Sequence, residues 1–453
     1  METIASISIS TSRNEQATHT KSRHERCLGR FGFLIHPTTA DDLYASGPVS
    51  LSEMSARQRG NWERWIASWS ERHYEPGVAY HLPKICSQAG GYAEGWLIAI
   101  PLTPNQMMHL KPHDRRELMG RCIEIAKELD VDMLGLGAFT SIVTRNGVDI
   151  AGCGVNITTG NSLTAMAAAE SLKLAARQRG RELAHAQVGI VGAAGSVGRL
   201  ACKALAMDCG RLTLFGNPAN PSSMQKLKAV AGEIYVDAVR ELVHGRTSGV
   251  AAALLPVLRD LSDPYRAALA EEGAQRFSRF YDVVVEAAQS RDVQCPIHMS
   301  VDPGRDLPKM QFLISATSHG SAFIDVGLLA PSAVVCDAAR PADVLVDVRE
   351  SRPDVFVYEG GLVALPEKIS FGRRNVIGCE PGINLACLSE TMVLAMSGVR
   401  RDYSIGTEPS FVEAREVLRL AEHHGFRIFV PEGKRKEAAS RPWVSEALGA
   451  RAA

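Results

Sequence analysis

The stretch VGIVGAAGSVG, residues 188–198, decides the fold. The apolar run from Val188 to Val191 predicts a buried strand, and glycines follow it in the pattern G-x-x-G-x-x-G. A helical repeat of apolar residues comes next, formed by Val197, Leu200, Ala201, Ala204 and Leu205. A strand, glycine turn and helix in this order point free N–H groups at the turn, where the pyrophosphate of a dinucleotide often binds. The pattern therefore predicts a Rossmann-like unit, with a tight turn that holds no ligand as the alternative.

Residues of the turn and of two later strand ends are the predicted cofactor contacts. The strand Leu212–Phe215 leads into Asn217, where an NAD-specific site usually carries an acidic residue. Ser222, Ser223 and Lys226 lie just beyond it, so the sequence favours NADPH. The strand Gln311–Ser315 leads into Ala316 and Thr317, near the position expected for the nicotinamide. The full set of predicted contacts is Gly192, Ala193, Ala194, Gly195, Ser196, Val197, Gly198, Asn217, Ala316 and Thr317.

The composition excludes several function classes. Lys+Arg and Asp+Glu both number 50, so no overall charge favours nucleic acid or an anionic membrane. No apolar run reaches the roughly 20 residues of a membrane-spanning helix. The ten cysteines show no C-x-x-C pair or metal-ligand spacing. We therefore expect free thiols, no metal and a cytoplasmic location.

The order of apolar runs predicts an α/β protein with an N-terminal α/β substrate domain before a doubly wound parallel sheet. We expect a disordered tail at residues 1–30, the substrate domain at 31–184 and the Rossmann domain at 185–378. A largely helical insertion is expected at about 229–308 within the Rossmann domain, because that stretch is too long for an ordinary crossover. A C-terminal helical segment at 379–432 and a second tail at 433–453 complete the chain.

Two polar loops precede the glycine turn. They contain Ser141 in the segment GAFTS and both Thr159 and Asn161 in the segment TTGN. Helix capping explains one such residue well. The clustering of hydroxyl and amide groups in both loops also fits a wall that faces a substrate or cofactor. The sequence leaves both interpretations open.

Cys387 is the candidate nucleophile. It lies near the start of an apolar segment, residues 383–396, in which Glu390 is the only charge. A helix N-terminus lowers the pKa of a nearby thiol, and the thiolate is the reactive form. Cys379 is a rival, and a free cysteine more often simply packs in the core.

Taken together, these segments resemble the long-chain acyl-[acyl-carrier-protein] reductases of the cyanobacterial type, which make fatty aldehydes. The matching segments run in the family's order: FGFLIH at 31–36, GAFTSI at 137–142, TTGN at 158–161, the glycine turn, ACLSETM at 386–392 and HGF at 424–426. Two features depart from the family: Asn217 stands where arginine is expected, and the insertion and N-terminal tail are additional.

The resemblance implies an enzyme of lipid metabolism. Cys387 would take an acyl group as a thioester from acyl-carrier protein or acyl-CoA, and NADPH would reduce it to a fatty aldehyde. Thr159, Asn161 and Ser141 would be candidate donors to the oxyanion. An aldehyde-consuming enzyme would be a further partner.

Two other functions fit the same layout. One is a dehydrogenase of the shikimate or amino-acid type, acting on a small hydroxy or amino acid, which would use Lys84 with Asp132 or Asp149. The other is a nucleotide-sensing protein without catalysis, whose insertion binds a partner.

Overall fold

The computed structural model describes residues 26–37, 54–258, 275–319, 322–344, 352–372 and 377–431. The predicted tails fall largely outside these ranges, at residues 1–25 and 432–453. The first described strand begins at Cys27, before the expected boundary at residue 31, because Cys27 and Gly29 already pair with the neighbouring strand.

A five-stranded sheet forms the first half of the molecule. Its strand order is β2-β3-β1-β4-β5, parallel except for β2. The elements are β1 (Cys27–Ile35), α1 (Ala56–Arg72), β2 (Gly77–Cys86), β3 (Tyr92–Ala99), α2 (Pro104–His109), α3 (Pro112–Glu128), β4 (Met133–Leu136), α4 (Phe139–Val143), β5 (Asn156–Thr158) and α5 (Asn161–Gln178).

A second sheet of six parallel strands follows, in the order β11-β10-β9-β6-β7-β8. Its elements are β6 (Val188–Val191), α6 (Ser196–Ala206), β7 (Leu212–Phe215), α7 (Ser223–Val243), α8 (Gly249–Leu254), α9 (Arg276–Ser290), β8 (Ile297–Ser300), α10 (Pro303–Asp306), β9 (Phe312–Ser315), β10 (Val334–Asp337) and β11 (Phe356–Glu359). The strand order reverses between β6 and β9. The predicted α/β fold with a Rossmann-like parallel sheet is therefore confirmed, and its switch point lies at the glycine turn.

The stretch predicted as a helical insertion, 229–308, contains more than helices. Strand β8 pairs in parallel with β7 and becomes the edge of the second sheet. Helices α7 and α9 cross closely at Gly232, where an added Cβ would lie 1.8 Å from the Phe277 carbonyl oxygen. The described part of this stretch is therefore an enlarged crossover that belongs to the sheet.

The chain then returns to the first sheet. The returning elements are β12 (Leu362–Ala364), β13 (Ile383–Leu385), α11 (Ala386–Met396), α12 (Phe411–His424) and β14 (Arg427–Ile428), and the three strands form a small antiparallel sheet. Helix α11 lies directly on the first sheet: a Cβ at Gly29 would be 2.2 Å from the Ala395 carbonyl oxygen, and one at Gly135 would be 2.1 Å from Thr391 Oγ1. This packing brings Cys387 from a distant part of the sequence into the interior of the first half.

Among the described helices, none has the length and apolar character needed to cross a membrane.

Candidate active site

The glycine turn leaves an open cradle in front of α6. Gly192 adopts a left-handed φ of +80°, and a Cβ there would lie 2.6 Å from the Ala316 carbonyl oxygen. A Cβ at Gly198 would lie 2.2 Å from the Gly192 carbonyl oxygen, so the helix packs tightly on the turn. Gly195 differs, because a Cβ there would meet only that same oxygen, at 3.3 Å. A ligand can therefore approach the backbone at Gly195, at the N-terminus of an eleven-residue helix.

The later predicted contacts lie at the carboxyl ends of neighbouring strands. Ala316 abuts Gly192 as described, which places its backbone beside the turn. Thr317 donates its hydroxyl to Asp343 Oδ1 at 2.7 Å, and burial raises the pKa of Asp343. Asn217 is largely occupied with its own turn, since its Oδ1 accepts a hydrogen bond from the Ala219 N–H at 2.9 Å.

Asn161 connects the first half of the molecule with the glycine turn. Its Nδ2 donates to Ser196 Oγ, the first residue of α6, at 2.9 Å. The other two polar candidates make local or structural bonds: Thr159 donates to the Ser404 carbonyl oxygen at 2.7 Å, and Ser141 donates to the Ala138 carbonyl oxygen at 2.8 Å. Of the three, Asn161 is the one that the structure joins to the turn.

Cys387 is the second residue of α11 and lies against the same loop. A Cβ at Gly160 would be 2.3 Å from the Cys387 Cβ, so the two residues are in direct contact. The side chain retains partial exposure. Gly160 adopts φ +74°, which favours glycine, and it directly precedes Asn161. A series of contacts therefore runs from Cys387 through Gly160 and Asn161 to Ser196 at the glycine turn.

The environment of Cys387 raises the pKa of its thiol to about 11. Burial is the largest cause. The positive charge of Arg340 and the Leu388 N–H act in the opposite direction. The helix N-terminus therefore acts in the expected direction, but the net pKa rises, because the cost of removing a thiolate from water exceeds the helix contribution. The resting side chain is a neutral thiol at neutral pH.

Sequence reasoning missed Arg340 and Ser404. Arg340 follows β10 and forms an ion pair with Glu359. Ser404 follows α11, and its hydroxyl contacts Glu390 Oε1 at 2.7 Å. Neither residue stands in a recognisable motif, and each reaches the site only through tertiary packing.

The pair of Lys84 with Asp132 or Asp149, which a dehydrogenase of the shikimate or amino-acid type would require, does not form. Lys84 is exposed, with its Nζ 5.2 Å from the centre of the Tyr92 ring. Asp132 instead accepts from the Arg30 N–H at 2.8 Å, and Asp149 pairs with Arg145.

Comparison with known proteins finds a curated relative of this chain. No family model matches the chain. The aminotransferase PigE of Serratia sp. (strain ATCC 39006) is 28% identical over 406 residues, which cover 88% of this chain and 40% of that protein. The chain thus spans less than half the length of this relative.

Solved structures give only weak likenesses. The NAD-dependent malic enzyme of Thermotoga maritima is 10% identical, with a TM-score of 0.32 and coverage of 93% of this chain and 88% of that one. A hetero-hexameric glutamate dehydrogenase from Thermus thermophilus is 13% identical, with a TM-score of 0.33 and coverage of 95% and 81%. Ornithine transcarbamoylase of Giardia lamblia is 10% identical, with a TM-score of 0.27 and coverage of 76% and 84%. These scores are too low to support any conclusion about function.

The predicted membership in the acyl-[acyl-carrier-protein] reductases is wrong, because the curated relative is named an aminotransferase. The prediction of an NADP-dependent enzyme that makes fatty aldehyde from an acyl thioester is wrong for the same reason. The prediction failed because short motifs such as TTGN specify a local turn and helix start, which α/β proteins of different function share.

Proposed function

We propose that this chain is a nicotinamide-dinucleotide-dependent oxidoreductase that acts on a carbonyl compound, with Cys387 at the reacting group. The observation that carries this proposal is the hydrogen bond from Asn161 to Ser196. It joins the loop that touches Cys387 to the first residue of the helix behind the glycine turn. A dinucleotide in the cradle and a substrate at Cys387 would then share one site.

The cradle residues suit a dinucleotide. Gly195 leaves room for a pyrophosphate at the start of α6, where the helix N–H groups and dipole favour an anion. The end of β7 carries no carboxylate that would hold a ribose 2′-hydroxyl, and Lys226 is exposed nearby. This arrangement favours NADPH, with Asn217, Ala316 and Thr317 at the cofactor's edges.

The chain's own groups would control the proton and the carbonyl oxygen. When bound, the dinucleotide supplies hydride to a carbonyl carbon or accepts it. A neutral Cys387 thiol can donate a proton to the oxygen, because an alkoxide is far more basic than this thiolate. The Asn161 amide has a second N–H, beside the one bound to Ser196, which can orient that oxygen. Thr159 and Ser141 would support the surrounding loops.

The name of the aminotransferase relative suggests pyridoxal phosphate as a cofactor. This cofactor does not fit the described residues. That cofactor needs a lysine amine able to form a Schiff base. In the described ranges no lysine is fully buried, and the three half-buried ones each form ion pairs: Lys173 with Glu170 and Asp208, Lys203 with Glu233 and Asp237, and Lys228 with Asp282. A carbonyl substrate nevertheless agrees with the relative's name, since an aminotransferase exchanges an amino group with a carbonyl compound.

Dinucleotide binding is tested with Gly195→Asp. Gly195 is the N-cap of α6 with φ −77°, so aspartate fits the backbone and caps the helix. Its side chain would fill the cradle with negative charge. We expect wild type to bind NADPH, measured by its fluorescence, and Gly195→Asp to bind at least about tenfold more weakly, the loss of 1.4 kcal/mol or more. The unfolding midpoint should not fall.

Gly195→Ser is the matched control, because it caps the helix without a charge and should retain more of the binding. Absence of NADPH and NADH binding by the wild type would contradict the proposal.

The role of Cys387 is tested by turnover of NADPH with a panel of aldehydes and ketones. Cys387→Ala should lower kcat by about a hundredfold or more, as expected for loss of a general acid. Cys387→Ser should retain part of the activity, because a hydroxyl can also donate a proton. Wild-type turnover by Cys387→Ala would exclude this role.

A further inference from the structure

Glu390 is a buried carboxylate one helical turn after Cys387. Its side chain is fully buried, and burial raises its pKa. Three donors surround it: Thr158 Oγ1 at 2.6 Å and Ser404 Oγ at 2.7 Å to Oε1, and the Leu163 N–H at 2.6 Å to Oε2. These donors come from three segments: the end of β5, the loop after α11 and the first turn of α5.

The three segments surround Gly160, which lies against the Cα and Cβ of Cys387. Thr158 Oγ1 also accepts a hydrogen bond from the Gly160 N–H at 3.2 Å, so a chain of bonds runs from Glu390 through Thr158 to Gly160. The adjacent Thr159 hydroxyl donates to the carbonyl oxygen of Ser404, whose own hydroxyl bonds Glu390. Glu390 thus bonds Thr158 before Gly160 and Leu163 after it.

The same network reaches the cofactor side. The Leu163 N–H lies in the first turn of α5, two residues after Asn161, which bonds to Ser196. Fixing the start of α5 therefore fixes the amide that joins the loop to the glycine turn.

We propose that Glu390 is a positioning residue, which locks the loop 158–161 over Cys387 and thereby sets the access and reactivity of the thiol. The equally buried Asp306 bonds Ser300, Arg305 and Lys309, which all lie within six positions of it in the sequence. Glu390 instead gathers donors from three separate segments onto one carboxylate. The role rests on the proposed function of Cys387, although it can be measured without turnover.

The test uses Glu390→Met, which keeps the length of the side chain and removes both acceptor oxygens. Gly160 is then no longer held against Cys387, and a negative charge that opposes thiolate formation is lost. Both effects speed alkylation of Cys387 by iodoacetamide, followed for its own peptide by mass spectrometry in the full-length protein. We expect a rise of at least about tenfold, the equivalent of one hydrogen bond to a charged group.

Glu390→Gln and Thr158→Val provide graded versions. Glutamine retains one acceptor oxygen and should give a smaller rise than methionine. Valine keeps the shape of Thr158 and removes the one hydroxyl that links Glu390 to Gly160. Because they break the same chain of bonds, the effects of Glu390→Gln and Thr158→Val should combine non-additively. These milder variants also serve if Glu390→Met does not fold.

Asp306→Leu is the control for a purely structural role. Asp306 is equally buried and bonds Ser300, Arg305 and Lys309 at the edge of the second sheet. Both apolar variants should lower the unfolding midpoint, and Glu390→Met alone should change alkylation. The proposal is overturned if Cys387 in Glu390→Gln and Thr158→Val is alkylated at the wild-type rate, or if Asp306→Leu gives the same rise. Failure of NADPH binding or carbonyl turnover with an intact alkylation effect would instead disprove the proposed function.

Discussion

Gly160 offers a test of the site at the scale of a single residue. Its φ of +74° would strain the backbone of any L-residue with a side chain. The space that a Cβ would need is occupied by Cys387. Gly160→Ala should cost about 1–2 kcal/mol from backbone strain, with a further loss from displacing the α11 start. Urea unfolding at neutral pH measures the total.

Gly152 is a matched comparison, because it has φ +71° and nothing within 4 Å of an added Cβ. Gly152→Ala should show the strain alone. If the two variants lost the same free energy of unfolding, Cys387 and α11 would move aside without cost, contrary to the tight contact between Gly160 and Cys387.

Individual side chains also show the limit of sequence reasoning. The sequence selected Asn161 and Cys387 on local grounds, and the structure brings them to one site through Gly160. The pKa of Cys387 was predicted in the wrong direction, because its largest cause is burial by distant segments. A residue's position within a helix is a local property, whereas its solvation is not.

At the scale of elements, the strand, turn and helix from Val188 to Ala206 could be predicted because its signals are local. Glycine spacing, strand length and apolar periodicity all lie within one stretch, and the structure confirms them. Strand β8 was missed, since its four residues lie within a mainly helical stretch and its pairing with β7 is non-local.

Helices α6 and α7 are joined by a buried ion pair that permits a second prediction. Arg199 Nε donates to Glu233 Oε2 at 3.0 Å, and Arg199 Nη2 donates to Glu233 Oε1. Both side chains are more than nine-tenths buried. Glu233→Leu would leave buried Arg199 without its main partner. We expect a loss of about 3–5 kcal/mol in the free energy of unfolding.

The double variant Arg199→Met with Glu233→Leu should recover much of that loss, because it removes both buried charges. Glu63→Gln is the surface control: its pair with Arg59 is largely solvated and should contribute about 0.5 kcal/mol or less. If Glu233→Leu cost no more than this control, the pair would contribute nothing to the docking of α7.

For the whole molecule, the α/β class was easier to predict than the way in which its elements assemble. The α/β class and the parallel second sheet followed from alternating strand and helix signals. The return of the chain to the first sheet, from β12 to β14, could not be predicted, because nothing in the sequence of α11 marks the sheet face that it covers. Close packing at Gly29 and Gly135 reveals that face.

We expect the free energy of unfolding to depend on pH because of His424, which lies in the segment that returns to the first sheet. It lies at the end of α12, with Nδ1 2.8 Å from Ser87 Oγ and Nε2 3.0 Å from Ser397 Oγ, and so links the first sheet to the end of α11. Burial, aided by the neighbouring His423, lowers its pKa from 6.5 to about 4. A lowered folded-state pKa gives stability that is complete above pH 6.5 and is lost as the pH falls towards 4.

Allowing for solvent screening, we expect the advantage of wild type over His424→Gln in urea unfolding to shrink by about 2 kcal/mol between pH 7 and pH 4. His113→Gln, at an exposed position, is the control, and an advantage of His424 that did not change with pH would show that its charging does not oppose folding.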